Sequence, residues 1–314
     1  MNIQQLEYLV AVDKYKHFGK ASKACFITQP TLSAMIQKLE DELDLKIFDR
    51  TTHPIRTTDV GTEIINHAKI ILGSVNELKN KADLLNNILG GKINLGIIPT
   101  VSSYILPTHI FSFLNENPKI EMNVKEMTTK NVIKSLKSGE LDAGIIATPH
   151  SEAKDFHNDI LFNEELMVYS ADNQDIDGYI LPENIKKDQI WLLEEGNCLR
   201  TQFEHICHLK ENSLKPKNLN FLGSNISTLL HMVDTIGGVS ILPELAIDQL
   251  SEKQKQKITR FTKPFPYREI SIIYYKPTYK QKIIDELVSF MKKSLKDKMN
   301  FNKSPKDFVS VKPE

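Results

Sequence analysis

The sequence predicts an α/β protein in which a small helical module and a long helix precede a larger domain of alternating strands and helices. Three observations lead to this fold class. Residues 1–58 carry helical apolar patterns and a short hairpin, residues 59–90 carry a continuous helical seam, and strand-like runs alternate with helices from residue 91. The length of 314 residues is enough for two or three domains.

The composition is that of an ordinary globular protein, with 40% hydrophobic and 25% charged residues and a formal net charge of zero. No apolar run reaches the roughly 18 residues of a membrane span, and the N-terminus lacks the pattern of a secretory signal. We therefore expect a cytoplasmic chain with no membrane association. Residues 1–60 hold eight basic and eight acidic side chains, so charge alone does not indicate nucleic-acid binding.

The first 58 residues predict three short helices and a hairpin. Pro30 suits the first turn of the third helix, because its missing N–H needs no partner there. Residues 46–58 have β-branched residues around a His-Pro turn, which is typical of a short hairpin wing. The predicted helices are 3–13, 18–25 and 30–43. The apolar face of the third helix comprises Leu32, Ile36, Leu39 and Leu43.

The next segment predicts one long helix with an apolar residue every three or four positions. This heptad spacing over nearly four repeats favours a helix that pairs with a second copy of itself. The alternative is an amphipathic helix that lies on its own domain. Gly90 and Gly91 end the segment and offer a hinge. The seam comprises Ile64, Ala68, Ile71, Val75, Leu78, Ala82, Leu85 and Leu89.

From residue 91, alternation of strands and helices predicts βαβ units and a parallel sheet. The residues at 301–314 are rich in Lys and Pro, and we expect a frayed tail. The predicted strands are 92–98, 120–127, 141–147, 166–171, 189–193, 241–247 and 270–276. The predicted helices are 99–118, 128–140 and 280–298.

Two cysteines nine residues apart, Cys198 and Cys207, indicate thiol chemistry in this chain. Nine residues of helix turn by about 900° and rise about 13 Å, so the two sulfurs would lie on opposite faces. A disulfide needs Cα atoms about 4.4–6.8 Å apart. The segment therefore cannot be helical and disulfide-bonded at once, and it is a candidate two-state element.

Residues 18–50 resemble the winged helix-turn-helix of LysR-type transcriptional regulators. The most specific part is TQPTLSAMIQKLE at 28–40, supported by T-x-x-G at 58–61. IIPTVSSYILP at 97–107 and STLLHMVDTIGGVSILP at 227–243 resemble segments of the family's regulatory domain. The resemblance covers almost the whole chain and implies a periplasmic-binding-protein-like, two-subdomain α/β regulatory domain. The implied domains are 1–58 (DNA-binding), 59–90 (dimerisation helix), 91–300 (regulatory; subdomain I 91–162 and 268–300, subdomain II 163–267) and 301–314 (flexible tail).

Within this family, LLEEGNCLRTQFEHIC at 192–207 and PFPYREISIIYYKP at 264–277 resemble the members that sense hydrogen peroxide. That resemblance implies a regulator rather than an enzyme. Peroxide would oxidise Cys198 to a sulfenic acid, and Cys207 would condense with it to form a disulfide. The regulatory domain of a homotetramer, a dimer of dimers, would then rearrange and change its binding to promoters of antioxidant genes. Promoter DNA and RNA polymerase are the implied partners.

Four further residues are implied to support the peroxide site: Thr100, Thr129, Asn197 and Arg268. Thr100 and Thr129 match family positions whose hydroxyls hold peroxide or water near the thiol, and an ordinary loop threonine is the alternative for each. The resemblance also gives Arg268 a place near the thiol. Asn197 is a plausible N-cap, which would put Cys198 at a helix start that favours the thiolate. Asn197 also departs from the family, where a histidine often precedes this cysteine, and an amide cannot relay a proton at neutral pH.

The front of the third helix carries short polar side chains suited to base edges in the major groove. A solvated helix face is the alternative for the same residues. The predicted DNA-contacting residues are Thr28, Gln29, Pro30, Thr31, Ser33 and Gln37, with Lys38, Arg50 and Arg56 at phosphates.

Two other functions stay open on the residues alone. One is a metabolite-sensing LysR-type regulator with incidental cysteines, and the other, from a different class, is a thiol peroxidase-like protein. No cofactor is indicated. A metal site is not predicted, because His205, Cys207 and His208 do not converge on a regular helix. Cys25 is interpreted as a core residue.

Overall fold

The computed structural model describes residues 1–52, 54–85, 90–171, 179–180, 185, 190–194, 196–207, 225–276, 278, 280–296 and 307–313. Contacts between residues divide the chain into two compact units. One unit contains residues 1–88 with 137–140, and the other contains 89–136 with 141–314. Within the described parts of the chain, every helix is too short or too polar to cross a lipid bilayer.

The first unit contains the three predicted helices, and polar caps explain where they begin. Asn2 and Gln5 form a reciprocal capping box at the first helix, and Thr28 caps the third. A two-stranded antiparallel hairpin follows, with Asp49 opposite Arg56. The elements are α1 (Ile3–Tyr15), α2 (Phe18–Ala24), α3 (Gln29–Leu43), β1 (Phe48–Asp49), β2 (Arg56–Thr57) and α4 (Asp59–Leu85).

The long helix α4 is joined to the hairpin at a very close backbone approach. The Thr58 hydroxyl accepts a hydrogen bond from Gly61 N at 2.9 Å and donates to Lys46 O at 2.8 Å. A Cβ atom at Gly61 would lie 2.2 Å from Ile47 O, so only glycine fits there. This contact is the physical reason for the T-x-x-G pattern.

The seam of α4 changes character along its length. Ala68 is buried in the core of the first unit, whereas Ile71 and Leu78 are exposed by 42% and 72%. The described beginning of the seam therefore packs on its own unit, whereas Ile71 and Leu78 present apolar surface further along the helix. The side chains of Ala82 and Leu85 and the whole of Leu89 lie outside the described residues. Pairing of α4 with a second copy stays a prediction.

The second unit is built on a sheet whose strands follow the order β4-β3-β5-β10-β6-β9-β7, with β8 beside β6 and β11 beside β10. Strands β3, β4 and β5 are parallel as predicted, but β10 pairs antiparallel with both β5 and β6. The strands are β3 (Gly91–Ile97), β4 (Ile120–Glu126), β5 (Ala143–Thr148), β6 (His157–Ser170), β7 (Tyr179–Ile180), β8 (Val239–Pro243), β9 (Ile258–Phe261), β10 (Phe265–Tyr274) and β11 (Phe308–Ser310).

Helices cover this sheet, and a large apolar core lies between the layers. Those that carry the site are α5 and α7, which follow β3 and β4, and α8, which begins at Cys198. The helices are α5 (Pro99–Ile105), α6 (Phe111–Glu116), α7 (Thr129–Lys137), α8 (Cys198–Ile206), α9 (Ile226–Ile236), α10 (Glu252–Lys255) and α11 (Gln281–Leu295).

Two predicted strands and the predicted tail differ from the structure. The segment predicted as a strand at 189–193 has only a bridge from Ile190 to Val239, and residue 189 lies outside the described residues. The strand predicted at 241–247 ends at Pro243, and a 3₁₀ helix follows. Residues 307–313 are not a frayed end, because β11 pairs with β10. Sequence pattern missed this strand because its partner is more than 40 residues away.

Candidate functional site

Three helices begin around one sulfur atom in the second unit. Strands β3 and β4 are parallel neighbours, with Ile97 opposite Glu126, so the helices after them start at the same sheet edge. These starts place Thr100 in the first turn of α5 and Thr129 at the first position of α7. Cys198, the first residue of α8, lies beside both hydroxyls.

Asn197 sets the start of α8. Its side-chain Oδ1 accepts a hydrogen bond from Leu199 N at 3.1 Å, which is the N-cap role predicted for it. Asn197 is 5% exposed, and Cys198 is also 5% exposed. The amide that replaces the family's histidine therefore acts as a helix cap beside the sulfur.

Arg268 supplies the positive charge of the site. Its guanidinium is fully buried and donates to Thr100 Oγ1 at 3.1 Å and to Thr100 O at 3.1 Å. It also donates to the Tyr104 hydroxyl at 2.9 Å and to Glu164 Oε1 at 2.8 Å. Tyr104 in turn donates to Thr100 O. The arginine thus ties the start of α5 to strand β6 through four hydrogen bonds.

Burial governs the ionisation of the Cys198 thiol. It raises the pKa of the thiol above its usual value, although the Arg268 charge, the Thr129 and Thr100 hydroxyls and Leu199 N all act to lower it. The helix start was expected to favour the thiolate, and the Arg268 charge acts in the same direction. Desolvation outweighs them because the sulfur is shut off from water, and the Arg268 charge is already balanced by Glu164. The resting group is therefore a thiol that ionises only with difficulty.

The Thr129 hydroxyl has spare hydrogen-bonding capacity next to that sulfur. Thr129 is 4% exposed, and its Oγ1 has no hydrogen-bond partner of ordinary geometry, although it is near enough to the Cys198 thiol to lower its pKa. Buried hydroxyls in native proteins are nearly always paired. A small polar molecule placed beside the sulfur would provide the missing partner.

Cys207 lies at the far end of α8, where it is the C-cap and is 4% exposed. Neither it nor Cys198 is in a disulfide. With α8 formed, the two residues are separated by about 13 Å of helix rise. The structure is therefore the helical form of the segment, and a bond between the sulfurs requires part of α8 to unwind.

The predicted DNA-contacting residues lie on and beside α3. The Thr28 hydroxyl caps the helix and is 2.8 Å from the Thr31 hydroxyl, so these two side chains are partly occupied with each other. Gln37 Nε2 donates to Asp41 Oδ1 at 2.6 Å. The exposed members of the set are Thr28, Gln29, Pro30, Thr31, Lys38 and Arg56, and Ser33 and Gln37 are half-buried.

Arg50 differs from the other predicted phosphate contacts. It donates to Glu40 Oε2 at 2.8 Å and to Ser33 Oγ at 3.3 Å. Glu40 is 1% exposed and also accepts hydrogen bonds from Ile47 N and Phe48 N. Arg50 thus pairs with a buried carboxylate that fixes the start of the hairpin on α3. Because its charge is balanced within the unit, less of it is available to a DNA phosphate.

Sequence pattern missed two site residues, Glu164 and Tyr104. The signal for Glu164 was present as two adjacent acidic residues inside the apolar run of β6, both nearly fully buried. Each has an arginine partner, since Glu165 pairs with Arg260 and Glu164 with Arg268. Tyr104 gave no signal, because a tyrosine in a short helix is an ordinary core residue.

Among the residues that the structure describes, no three His, Cys, Asp or Glu side chains cluster as metal ligands would. His208, one of the residues weighed for a metal, lies outside the described part of the chain, as does His53 of the hairpin.

Two family models match the chain, one in each unit. Residues 3–62 match "Bacterial regulatory helix-turn-helix protein, lysR family", and residues 87–296 match "LysR substrate binding domain". The chain belongs to the LysR family of DNA-binding bacterial regulators, which confirms the predicted fold class and the expectation of a regulator rather than an enzyme.

Its relatives within that family carry peroxide-related names. The chain is 34% identical over 280 residues to a hydrogen peroxide-inducible genes activator of Haemophilus influenzae, covering 87% of this chain and 90% of the relative. It is 33% identical over 277 residues to the Escherichia coli dual regulator OxyR, covering 87% and 89%. A full-length OxyR from Pseudomonas aeruginosa, in a cysteine-to-aspartate variant, superimposes with a TM-score of 0.76 at 30% identity, covering 93% of this chain and 95% of that one. The resemblance to OxyR is confirmed.

Proposed function

We propose that this chain is a peroxide-responsive transcription regulator that senses hydrogen peroxide at Cys198. The observation that carries this function is a buried thiol flanked by Thr100, Arg268 and a Thr129 hydroxyl that lacks a partner. Peroxide is small, uncharged and able both to donate and to accept hydrogen bonds, so it suits the polarity of this buried site. The names of the relatives support the same signal.

The first chemical step is oxidation of the sulfur. Cys198 loses its proton, its sulfur attacks one peroxide oxygen, and the O–O bond breaks. The products are a sulfenic acid and, after the departing oxygen takes up a proton, one water. Thr129 and Thr100 hold the oxidant in line, and the Arg268 charge stabilises the negative charge on the sulfur and on the departing oxygen.

The second step joins the two cysteines. The Cys207 sulfur attacks the sulfenic sulfur, a disulfide forms, and a second water leaves. Because α8 separates the two residues by about 13 Å, the helix must unwind, and the regulatory domain changes shape with it. That change is the signal passed to the DNA-binding domain. Two domain limits, 162/163 and 267/268, fall within β6 and β10, the long strands that would link the two regulatory subdomains.

We further propose a cytoplasmic dimer of dimers on promoter DNA of antioxidant genes, acting on RNA polymerase. The exposed apolar residues of α4 support pairing of two copies. The polar residues at the start of α3 support contacts with base edges, and Lys38 and Arg56 support contacts with phosphates. We expect Arg50 to contribute less to phosphate binding than Lys38 and Arg56, because it already forms an ion pair with Glu40.

The test is peptide mass mapping of the full chain after a brief, low dose of peroxide, with Cys198→Ser as the control. We expect a Cys198–Cys207 cross-link that forms rapidly and is reversed by a thiol reductant. Free thiols after treatment, or only slow over-oxidation, would overturn the proposal and favour a metabolite-sensing regulator. Continuous peroxide turnover with a dithiol reductant, without DNA, would favour a thiol peroxidase.

A further inference from the structure

The C-terminal strand β11 bridges the two elements that carry the thiol and its arginine. It pairs in parallel with β10, with Phe265 opposite Phe308 and Tyr267 opposite Ser310. The strand lies beyond residue 296, where the match to the family's regulatory-domain model ends. It therefore lies outside the matched range and is attached to the strand that holds Arg268.

The residue after this strand is bonded to both elements. Val311 N donates to Tyr267 O at 2.8 Å on β10, and Val311 O accepts from Gln202 Nε2 at 2.8 Å on α8. Gln202 is fully buried, and Val311 is 8% exposed. A buried amide-to-carbonyl bond of this kind is costly to break, because water does not replace it.

Gln202 lies in the part of α8 that has to move. It is four residues after Cys198, so the two side chains share one face of the helix. The Cα atoms of Cys198 and Cys207 must approach to about 4.4–6.8 Å in a disulfide, which is impossible while the turns around Gln202 stay helical. Its bond to Val311 therefore belongs to the helical form alone.

Phe308 anchors the strand from the other side. Its ring packs on Phe265 at 5.4 Å and on Tyr267 at 6.3 Å between ring centres. Beside this contact, an open pocket of about 540 Å³ is lined by residues of both β11 and the last turn of α8, with His205, Ile206 and Val309 among them. The last turn of α8 thus has space beside it. The Gln202–Val311 hydrogen bond links the C-terminal segment directly to the helix.

We propose that β11 and Val311 form a latch that holds α8 helical and so limits the closure of the Cys198–Cys207 disulfide. The latch rests on the proposed peroxide function and concerns its second step alone. Oxidation of Cys198 to the sulfenic acid needs no movement of α8. Attack of Cys207 on the sulfenic sulfur, with release of water, requires the Gln202–Val311 bond to open. The C-terminal residues therefore set how much peroxide signal is needed to switch the protein.

The test measures the two steps separately in the full-length protein and in variants. The latch variants are a chain ending at Lys306, Phe308→Ala and Gln202→Met, which keeps the side-chain volume but donates no hydrogen bond. The matched control is Val309→Ala, since Val309 is in the same strand but 44% exposed. Disulfide closure is followed by mass after a peroxide pulse and alkylation. Sulfenic acid is trapped with a dimedone reagent in the Cys207→Ser background.

We expect closure to be roughly fivefold faster in each latch variant, the factor that one hydrogen bond of ordinary net strength represents. Sulfenic acid formation should be unchanged, which also shows that the variant is folded around Cys198. Val309→Ala should close at the wild-type rate. Wild-type closure rates in Phe308→Ala and Gln202→Met would overturn the latch and leave the peroxide function intact. A wild-type protein that never forms the disulfide would overturn both.

Discussion

Arg268 lies directly opposite Glu164 in the antiparallel register of β10 and β6, and both side chains are fully buried. The Arg268 Nη2 to Glu164 Oε1 distance is 2.7 Å, and Leu245 N donates to the other carboxylate oxygen at 3.4 Å. Burial raises the pKa of Glu164, and the arginine opposes that rise. The pair positions the one cation that, among the described residues, acts on the Cys198 sulfur.

Breaking this pair on one side is expected to be costly. Arg268→Met leaves a buried carboxylate without its partner, which should lower the free energy of unfolding by about 3–5 kcal/mol. The double variant Arg268→Met with Glu164→Met should recover most of that loss, because no buried charge remains. Denaturant unfolding of the three proteins measures both effects. Equal destabilisation in the single and double variants would contradict the role of the ion pair.

Reaction of Cys198 with peroxide is expected to accelerate in alkali. The thiol pKa is raised above its usual value of 9.0, so the thiolate fraction at neutral pH is small and grows about tenfold per pH unit. Sulfenic acid formation in Cys207→Ser, measured from about pH 6 to about pH 10, should rise throughout this range. A plateau reached below about pH 8 would mean that the thiolate is stabilised instead.

The same raised pKa predicts a stability effect with a defined sign. Below the usual thiol pKa of 9.0 the thiol is protonated in both the folded and the unfolded chain, so its contribution to stability is fully present. Above that pH the unfolded chain releases the proton first, and this contribution is lost. Wild type should therefore lose stability relative to Cys198→Ala as the pH rises further. Parallel melting curves of the two proteins over that range would contradict the raised pKa.

The unpartnered hydroxyl of Thr129 offers a clean test of the oxidant site. Thr129→Val removes the hydroxyl at nearly constant shape, so the folded protein should lose little stability, because Thr129 Oγ1 makes no hydrogen bond of ordinary geometry. Sulfenic acid formation should slow by about 10²-fold, the usual cost of losing one hydrogen bond to a developing charge. Thr129→Ser, which keeps the hydroxyl, is the control. Equal rates in the two variants would remove Thr129 from the site.

Two glycines of the long helix α4 should respond in opposite directions to alanine. Gly61→Ala places a Cβ 2.2 Å from Ile47 O and should destabilise the first unit by about 1–3 kcal/mol. Gly73→Ala meets no atom within 4 Å and should stabilise the helix by about 0.5–1 kcal/mol. Thermal unfolding and operator binding of both variants test the close approach behind the T-x-x-G pattern. A neutral Gly61→Ala would contradict it.

Alanine substitution of Arg56 and of Arg50 should have different effects, the first on the salt dependence of DNA binding and the second on stability. Arg56→Ala removes an exposed charge and should lower the salt dependence of binding by about one counterion, without loss of stability. Arg50→Ala should chiefly destabilise the hairpin, because Glu40 is left buried and unpaired. Salt titrations of binding, together with unfolding curves, distinguish the two. If Arg50→Ala kept its stability and lowered the salt dependence of binding by one full counterion, Arg50 would be a phosphate contact after all.

Local pattern was enough to predict much of the fold. The third helix, whose first turn is marked by Pro30, and the parallel strands β3 to β5 follow from residues near one another in sequence. The start of α8 at Cys198 follows from Asn197 in the same way. These elements depend on hydrogen bonds and apolar spacing within one or two turns.

Features that join distant segments were not predictable from pattern. Glu164 meets Arg268 only because β6 and β10, which are far apart in the chain, pair in one register. The raised pKa of Cys198 depends on how completely three helices exclude water, which no single segment specifies. The docking of Val311 on Gln202 likewise depends on the finished sheet.

The enclosure of Cys198 also determines which oxidants can reach it. Cys198 is only 5% exposed, so its sulfur is closed to a bulky oxidant such as a tripeptide disulfide, which has to reach it sulfur to sulfur. The thiol is thereby insulated from exchange with the cell's bulk thiol pool while α8 is intact. Such a sensor responds to the concentration of peroxide and is insensitive to the ratio of oxidised to reduced thiols in the cell. The selection is steric and precedes the chemical step.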